Sequence, residues 1–279
     1  MINTLSDNMN SLLVYFLILT ELTANSFMIN PFKTKNHGII ENIKKDDQYN
    51  ASDNELITLS PAGLKGFYTF GVSVYIKENY DLDNYFFSGA SAGAWNALYL
   101  SYKNDPWDLP KRLSQVNFQN ISSVYKVEEK IKEVILDSFK TEDFNLDRLF
   151  IGVTSFEKFK FINKIYTNFE SLEDAVDCCI ASSHIPFITG GLIRKYRKKI
   201  SFDGGFSNYP YYYLEKPVIH INPDMWKIVN GYIDIRNEIN IINAYKGLLL
   251  KEHKNFEDFF IAGYNDTRNN KDIIDKLLF

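Results

Sequence analysis

Apolar positions along the 279-residue chain switch between a period of about two residues and one of about 3.6, and this switching predicts most of its elements. Glu55-Leu56-Ile57-Thr58-Leu59 is a short apolar run that reads as a strand. A loop with Pro61, Gly63 and Gly66 follows, and then Phe67, Phe70, Gly71 and Val74 recur at i, i+3, i+4 and i+7, the stripe of a helix. The same order returns at 85–88, an apolar run that passes through a glycine-rich turn into the small-residue helix 92–98. Two strand-helix units in succession predict an α/β chain with a parallel sheet. Farther on, 124–139 is amphipathic, 149–155 and 159–166 read as strands, and 172–182 as a helix. Residues 192–202 and 217–221 are further strand candidates, and from about 232 Ile235, Ile239, Ile242 and Leu249 are spaced for a buried helical face.

The pattern is interrupted at the N-terminus. Residues 29–54 are polar, contain Pro31 and show no sustained period, which reads as a linker or extended arm. Ahead of it, residues 11–20 are apolar but far shorter than the ~20 residues of a spanning helix. This stretch has the length of a signal-peptide core, with Ala24 as a small-residue cleavage position, yet Asp7 and no basic residue precede it. A helix that dips into a membrane or docks on the domain is the other reading. The chain thus divides into an N-terminal segment and arm (1–54), a domain (55–222) and a helical extension packing on it (223–279).

Composition narrows the class. An apolar fraction of 45%, with 22 Phe and 18 Tyr, can fill a substantial core, and 24% charged residues keep the surface wet. The formal charge of −4 and scattered basic residues give nucleic acid no obvious footprint. The exception is the basic run 194–199, which reads first as a solvated hairpin and second as a contact for anionic head groups. Cys178 and Cys179 are adjacent in a helical pattern, so they read as buried thiols, not as a disulfide or a metal site. The sequons at Asn50, Asn120 and Asn265 carry little weight in so Asn-rich a chain.

Candidate chemistry centres on Gly89-Ala90-Ser91-Ala92-Gly93, a G-x-S-x-G pattern placed where a strand turns into a helix. Such a turn forces strained backbone angles, demands small neighbours and lifts the Ser91 hydroxyl above the sheet edge. The helix that follows aims its first amides and positive dipole end at the same point. A serine nucleophile needs a base, and His37, His184, His220 and His253 are the only histidines. His37 lies in the arm, His220 alternates within an apolar strand and His253 sits in a charged helical segment; His184, before Ile185-Pro186, could border a pocket. The alternative base is Asp203, where a strand ends in Asp203-Gly204-Gly205. Alone that tripeptide reads as a turn; beside Ser91 it reads as the missing base.

Together these segments resemble the two catalytic motifs of the patatin-like phospholipases, which use a Ser–Asp dyad without histidine. Ser60-Pro61-Ala62-Gly63-Leu64-Lys65-Gly66 is similar to the family's oxyanion loop, and Ala181-Ser182-Ser183-His184-Ile185-Pro186-Phe187 to the stretch before its aspartate. The resemblance covers about residues 55–222 and in detail looks nearer the adipose-triglyceride-lipase-like branch than plant storage patatins. It implies a three-layer α/β/α fold with a mostly parallel central sheet, and a lipid acyl hydrolase with Ser91 as nucleophile and Asp203 as proton acceptor. It also implies an oxyanion site drawn from Gly63 or Leu64 with Ala92, supported by Lys65 and Gly66, with no cofactor or metal and with lipid at a membrane or droplet surface as substrate. Peripheral membrane association or the secretory pathway would suit residues 11–24. The sequence departs from the family where Pro61 and Ala62 replace two glycines, and proline has no N–H to donate. Two other readings stand beside this one: a lipid-binding scaffold without activity, and an ordinary Ser–His–Asp hydrolase using a late histidine such as His253.

Overall fold

A computed structural model of the chain describes residues 39–41 (backbone only), 55–118, 121, 123–207, 209–212, 217–226 and 256–278. The apolar segment at 11–24, His37, His253, the sequon at Asn50 and the helical stripe from Ile235 to Leu249 lie outside the described residues.

Among the described residues eight strands form one sheet: β1 (Ile39–Glu41), β2 (Glu55–Leu59), β3 (Tyr85–Ala90), β4 (Leu149–Glu157), β5 (Lys160–Tyr166), β6 (Arg194–Tyr196), β7 (Lys199–Phe202) and β8 (Ile219–Ile221). The described helices are α1 (Gly66–Asn79), α2 (Ala92–Leu100), α3 (Asp108–Ser114), α4 (Val124–Ser138), α5 (Leu172–Ser182), α6 (Phe256–Asn269) and α7 (Lys271–Leu278). The main strand order is β1-β5-β4-β3-β2-β8. β2–β3, β2–β8, β3–β4 and β1–β5 are parallel, as the repeated strand-helix units predict, and β4–β5, β4–β7 and β6–β7 are antiparallel. Two departures from the sequence reading have simple causes. A three-residue strand, β1, sits inside the stretch read as a linker, too short to leave a period. The candidate 192–202 is a hairpin whose turn falls at Arg197 and Lys198, residues with no sequence signal for a turn.

Strand alternation divides the core. Ile57, Leu59, Phe87, Leu149 and Ile151 point into the large cluster shared with the helices, while Leu56, Phe86, Phe150 and Ile165 form a small cluster on the opposite face. Tyr212 covers that second cluster, stacked on Phe150 with ring centroids 4.2 Å apart. Cys178 and Cys179 are free and buried, and burial pushes both thiols up.

The described tail packs on α1. Tyr68 donates to Asp266 at 2.7 Å and Tyr80 to Asp275 at 2.6 Å, pinning α6 and α7. The α1–α6 crossing is close because glycines face it: a methyl on Gly263 would stand 2.0 Å from the Tyr68 carbonyl oxygen, and one on Gly71 2.1 Å from that of Phe260. Gly263→Ala therefore forces the helices apart, and chemical denaturation is expected to show a loss of roughly 1–3 kcal/mol. An unchanged midpoint would mean that the tail does not hold this position in solution. No helix among the described residues is long and apolar enough to cross a membrane.

Candidate active site

The sheet brings two distant segments together by a change of partner along one strand. The first half of β4 pairs with β3, from Phe87–Leu149 to Ala90–Gly152. Its second half pairs on the same flank with β7, from Thr154–Phe202 to Phe156–Ile200. β3 is parallel to β4 and β7 antiparallel, so the two run toward each other and meet end to end beside Gly152 and Val153. Ser91 is the first residue after β3 and Asp203 the first after β7. The Ser91 hydroxyl donates to Asp203 Oδ2 at 2.6 Å across 112 residues of sequence.

Each partner is held by backbone geometry. Ser91 occupies φ 54°, ψ −129°, a conformation that strains a residue with a Cβ. Its amide donates to Ser182 Oγ at 2.8 Å, and that hydroxyl donates in turn to the Gly152 carbonyl at 2.6 Å. The strained turn is thereby tied to α5 and to β4 at once. Asp203 is held through its amide, which donates to the His184 carbonyl at 2.8 Å, and through Oδ1, which accepts from the Gly205 amide at 2.7 Å. Gly89 is the penultimate residue of β3, Gly93 lies in the first turn of α2, and Gly204 and Gly205 open a short 3-10 turn.

Burial sets the electrostatics. Asp203 is 1% exposed, and desolvation pushes its carboxyl up to about 7, against the hydrogen bonds from Ser91 and Gly205 that favour its charged form. A carboxyl poised there exchanges a proton near neutrality. His220 is held near about 4 by burial and its Nδ1 shares a hydrogen bond of 2.8 Å with Thr58. His184 is also held near about 4 by burial, against a backbone contact at Leu192 that favours its charged form. Its contribution to the pair is its carbonyl, not its ring.

The loop at 60–66 lies against this pair. Gly63 turns at φ 53°, and Gly63–Lys65 forms a 3-10 turn leading into α1. Gly66 sits so close to the residue after the serine that a methyl on it would stand 2.6 Å from Ala92 Cβ. Pro61 packs toward Gly205, whose own methyl would meet Pro61 Cβ at 3.0 Å. First-turn amides of a helix lack partners within it, and Gly63, Leu64 and Ala92 occupy such positions. Lys65, by contrast, is exposed.

Sequence reasoning missed the residues that fasten these parts. Asn96 Nδ2 donates to the Gly66 carbonyl at 3.1 Å and to Thr69 Oγ1 at 2.7 Å, clamping the loop and α1 to α2. Trp95 Nε1 donates to Ser183 Oγ at 3.1 Å. Glu128, on α4, is buried near Asp203, and burial raises its carboxyl well above the usual range. Asn96 and Glu128 fall where a periodicity reading expects helix residues of no special note, and only their neighbours across the fold make them distinctive.

A cavity of about 430 Å³ is walled by His184, Tyr125, Phe187, Ile188, Ile193 and Arg194; neither Ser91 nor Asp203 lines it, and its link to the pair is His184, whose carbonyl accepts from the Asp203 amide. Another, of about 450 Å³, lies between α3 and α4, and none of the site residues lines it.

No curated protein matches the chain. A family model, Patatin-like phospholipase, matches residues 57–214, a span that begins in β2 and encloses the 60–66 loop, Ser91 and Asp203. With more than half of its length matched and a mostly parallel α/β sheet to carry it, the chain belongs to the patatin-like phospholipase family, whose members point to hydrolysis of lipid esters.

Proposed function

We propose that the protein is a serine acyl hydrolase of lipid carboxylic esters in which Ser91 and Asp203 act as a two-residue catalytic pair. The observation that carries this reading is the 2.6 Å hydrogen bond from the buried serine hydroxyl to the buried aspartate. Asp203 takes the Ser91 proton as Oγ attacks the ester carbonyl carbon. The oxyanion that forms is stabilised by the amides of Ala92 and of Gly63 or Leu64, which Pro61 cannot supplement. The leaving alcohol takes the proton from Asp203, giving an acyl-enzyme. Water then attacks the acyl carbonyl, passes a proton to Asp203, and the proton returns to Ser91 as the fatty acid departs. The apolar wall of Phe187, Ile188 and Ile193 suits an acyl chain.

A fluorophosphonate probe reports the competence of this serine directly. Labelling is expected in the wild type and in His253→Ala, and is expected to vanish in Ser91→Ala and Asp203→Asn. Loss of labelling in His253→Ala would favour a Ser–His–Asp hydrolase instead. A folded wild type that takes no label would point to a lipid-binding scaffold, the outcome in which Pro61 and Ala62 leave the oxyanion site without enough donors.

A further inference from the structure

Beyond Gly152, where β3 ends in the nucleophile turn, β4 continues to Glu157 with β5 on one flank and β7 on the other. The two hairpins therefore extend past Ser91 on the edge of the sheet where the catalytic pair lies. Phe156 faces Phe161 on β5 and Ile200 on β7, so the turn at Lys158–Phe159 and the turn at Arg197–Lys198 lie side by side at the far end. Five residues at ~3.3 Å each place these tips roughly 16 Å beyond the level of the nucleophile.

Both turns are built against local preference. Lys158, Phe159, Arg197 and Lys198 all have φ between 45° and 68°, in positions where such tight turns normally carry Asn or Gly. At the apex Phe159 is 95% exposed. Around it Lys158, Lys160, Lys195 and Lys198 are exposed and make no ion pair among the described residues. The neighbouring acids are already engaged, Glu157 by Lys164 and Lys199 and Asp174 by Arg197. A single exposed aromatic is ordinary. An aromatic at the apex of a strained double tip, within a surplus of unpaired cations and on the catalytic edge, is a different arrangement.

We propose that the paired tips dock the protein on a bilayer surface that carries anionic lipid. Phe159 enters the interfacial layer and the four lysines lie over the negative head groups, which draws the catalytic edge to the membrane. The use made of docking rests on the acyl-hydrolase reading, whereas docking itself does not.

The test separates the two by measuring binding in Ser91→Ala, which leaves the vesicles intact. Full-length Ser91→Ala chain is expected to sediment with phosphatidylcholine vesicles containing a third phosphatidylglycerol at least tenfold more strongly than with phosphatidylcholine alone, and less so in 0.5 M salt. Adding Phe159→Ser, or Lys158→Glu with Lys198→Glu, is expected to lower that partitioning tenfold or more. The same tip changes in the chain with Ser91 intact are expected to leave turnover of a water-soluble butyrate ester within twofold, which also shows that the fold survives. Equal binding to neutral and anionic vesicles, or tip variants that bind like their parent, would overturn the docking role. Absent butyrate turnover in the parent chain would count against the hydrolase reading alone.

Discussion

Ser91→Ala is expected to lower kcat/KM for a lipid ester by at least ~10⁴-fold, and Asp203→Asn by ~10³- to 10⁴-fold, with little additional loss when the two are combined. In the proposed mechanism the first removes the atom that bonds to the acyl group; the second keeps the shape of the side chain and its place opposite Gly205 but removes the proposed proton acceptor. Catalytic groups that act as one unit are strongly non-additive, because the second change removes a function already lost. Steady-state hydrolysis of the two single variants and the double variant decides this. Losses that multiply would mean that Ser91 and Asp203 serve separate steps, contrary to the proton transfer proposed for their 2.6 Å contact. In the wild type, kcat/KM is expected to rise with pH and level off above about 7, the value to which burial pushes the Asp203 carboxyl, since only its charged form accepts the serine proton.

The same burial predicts a large effect on stability. The folded chain holds the Asp203 proton up to about 7, whereas an ordinary aspartate releases it near 3.8. Between these values the folded state binds more protons than the unfolded one, so stability falls as pH rises, and the change is complete above about 7. A gap of that size corresponds to about 4 kcal/mol. Asn at 203 has no charge to desolvate and escapes this loss. Asp203→Asn is therefore expected to unfold near the wild-type urea concentration at pH 4, and to be more stable than wild type by several kcal/mol at pH 8. Titrating groups remote from Asp203 act equally on both proteins and cancel from the difference, whereas Glu128, whose buried carboxyl feels the Asp203 charge, adds to it. A stability gap that does not change between pH 4 and pH 8 would show that the aspartate titrates normally in the folded chain. On the proposed mechanism, a wild type less stable near neutrality than its Asn variant is the expected result of keeping a carboxylate dry beside Ser91.

Much of the protein was legible in its residues because local physics acts over short spans. β2, β3, α2 and α5 follow from apolar periodicity, and α5 runs from Leu172 to Ser182, the span read from sequence, with Ser171 accepting from the Asp174 amide at its start. The strand-to-helix turn at Ser91 is likewise local, because glycines on both sides let the chain reverse direction there. What periodicity cannot carry is a pairing between strands far apart in sequence. Nothing within residues 149–157 states that β4 gives one half of its flank to β3 and the other half to β7. That exchange sets Asp203 against Ser91, and it depends on register across the whole sheet. Turns whose residues oppose the local preference, at Lys158–Phe159 and Arg197–Lys198, were also hidden, since strand pairing overrides the propensity that a sequence reading relies on. The clamps at Asn96 and Ser182 belong to the same class, because a hydrogen-bonding side chain gains its role from the atom it meets.

The sequence by itself thus determined an α/β chain, a serine in a strained turn and an aspartate at a strand end, each through interactions among neighbours in the chain. Only the tertiary structure decided that the two lie 2.6 Å apart, that the aspartate is dry enough to hold its proton near neutrality, and that an exposed phenylalanine stands at the tip of a hairpin on the same edge of the sheet. Distance, desolvation and exposure are properties of the packed chain, and none exists until strands remote in sequence have been paired.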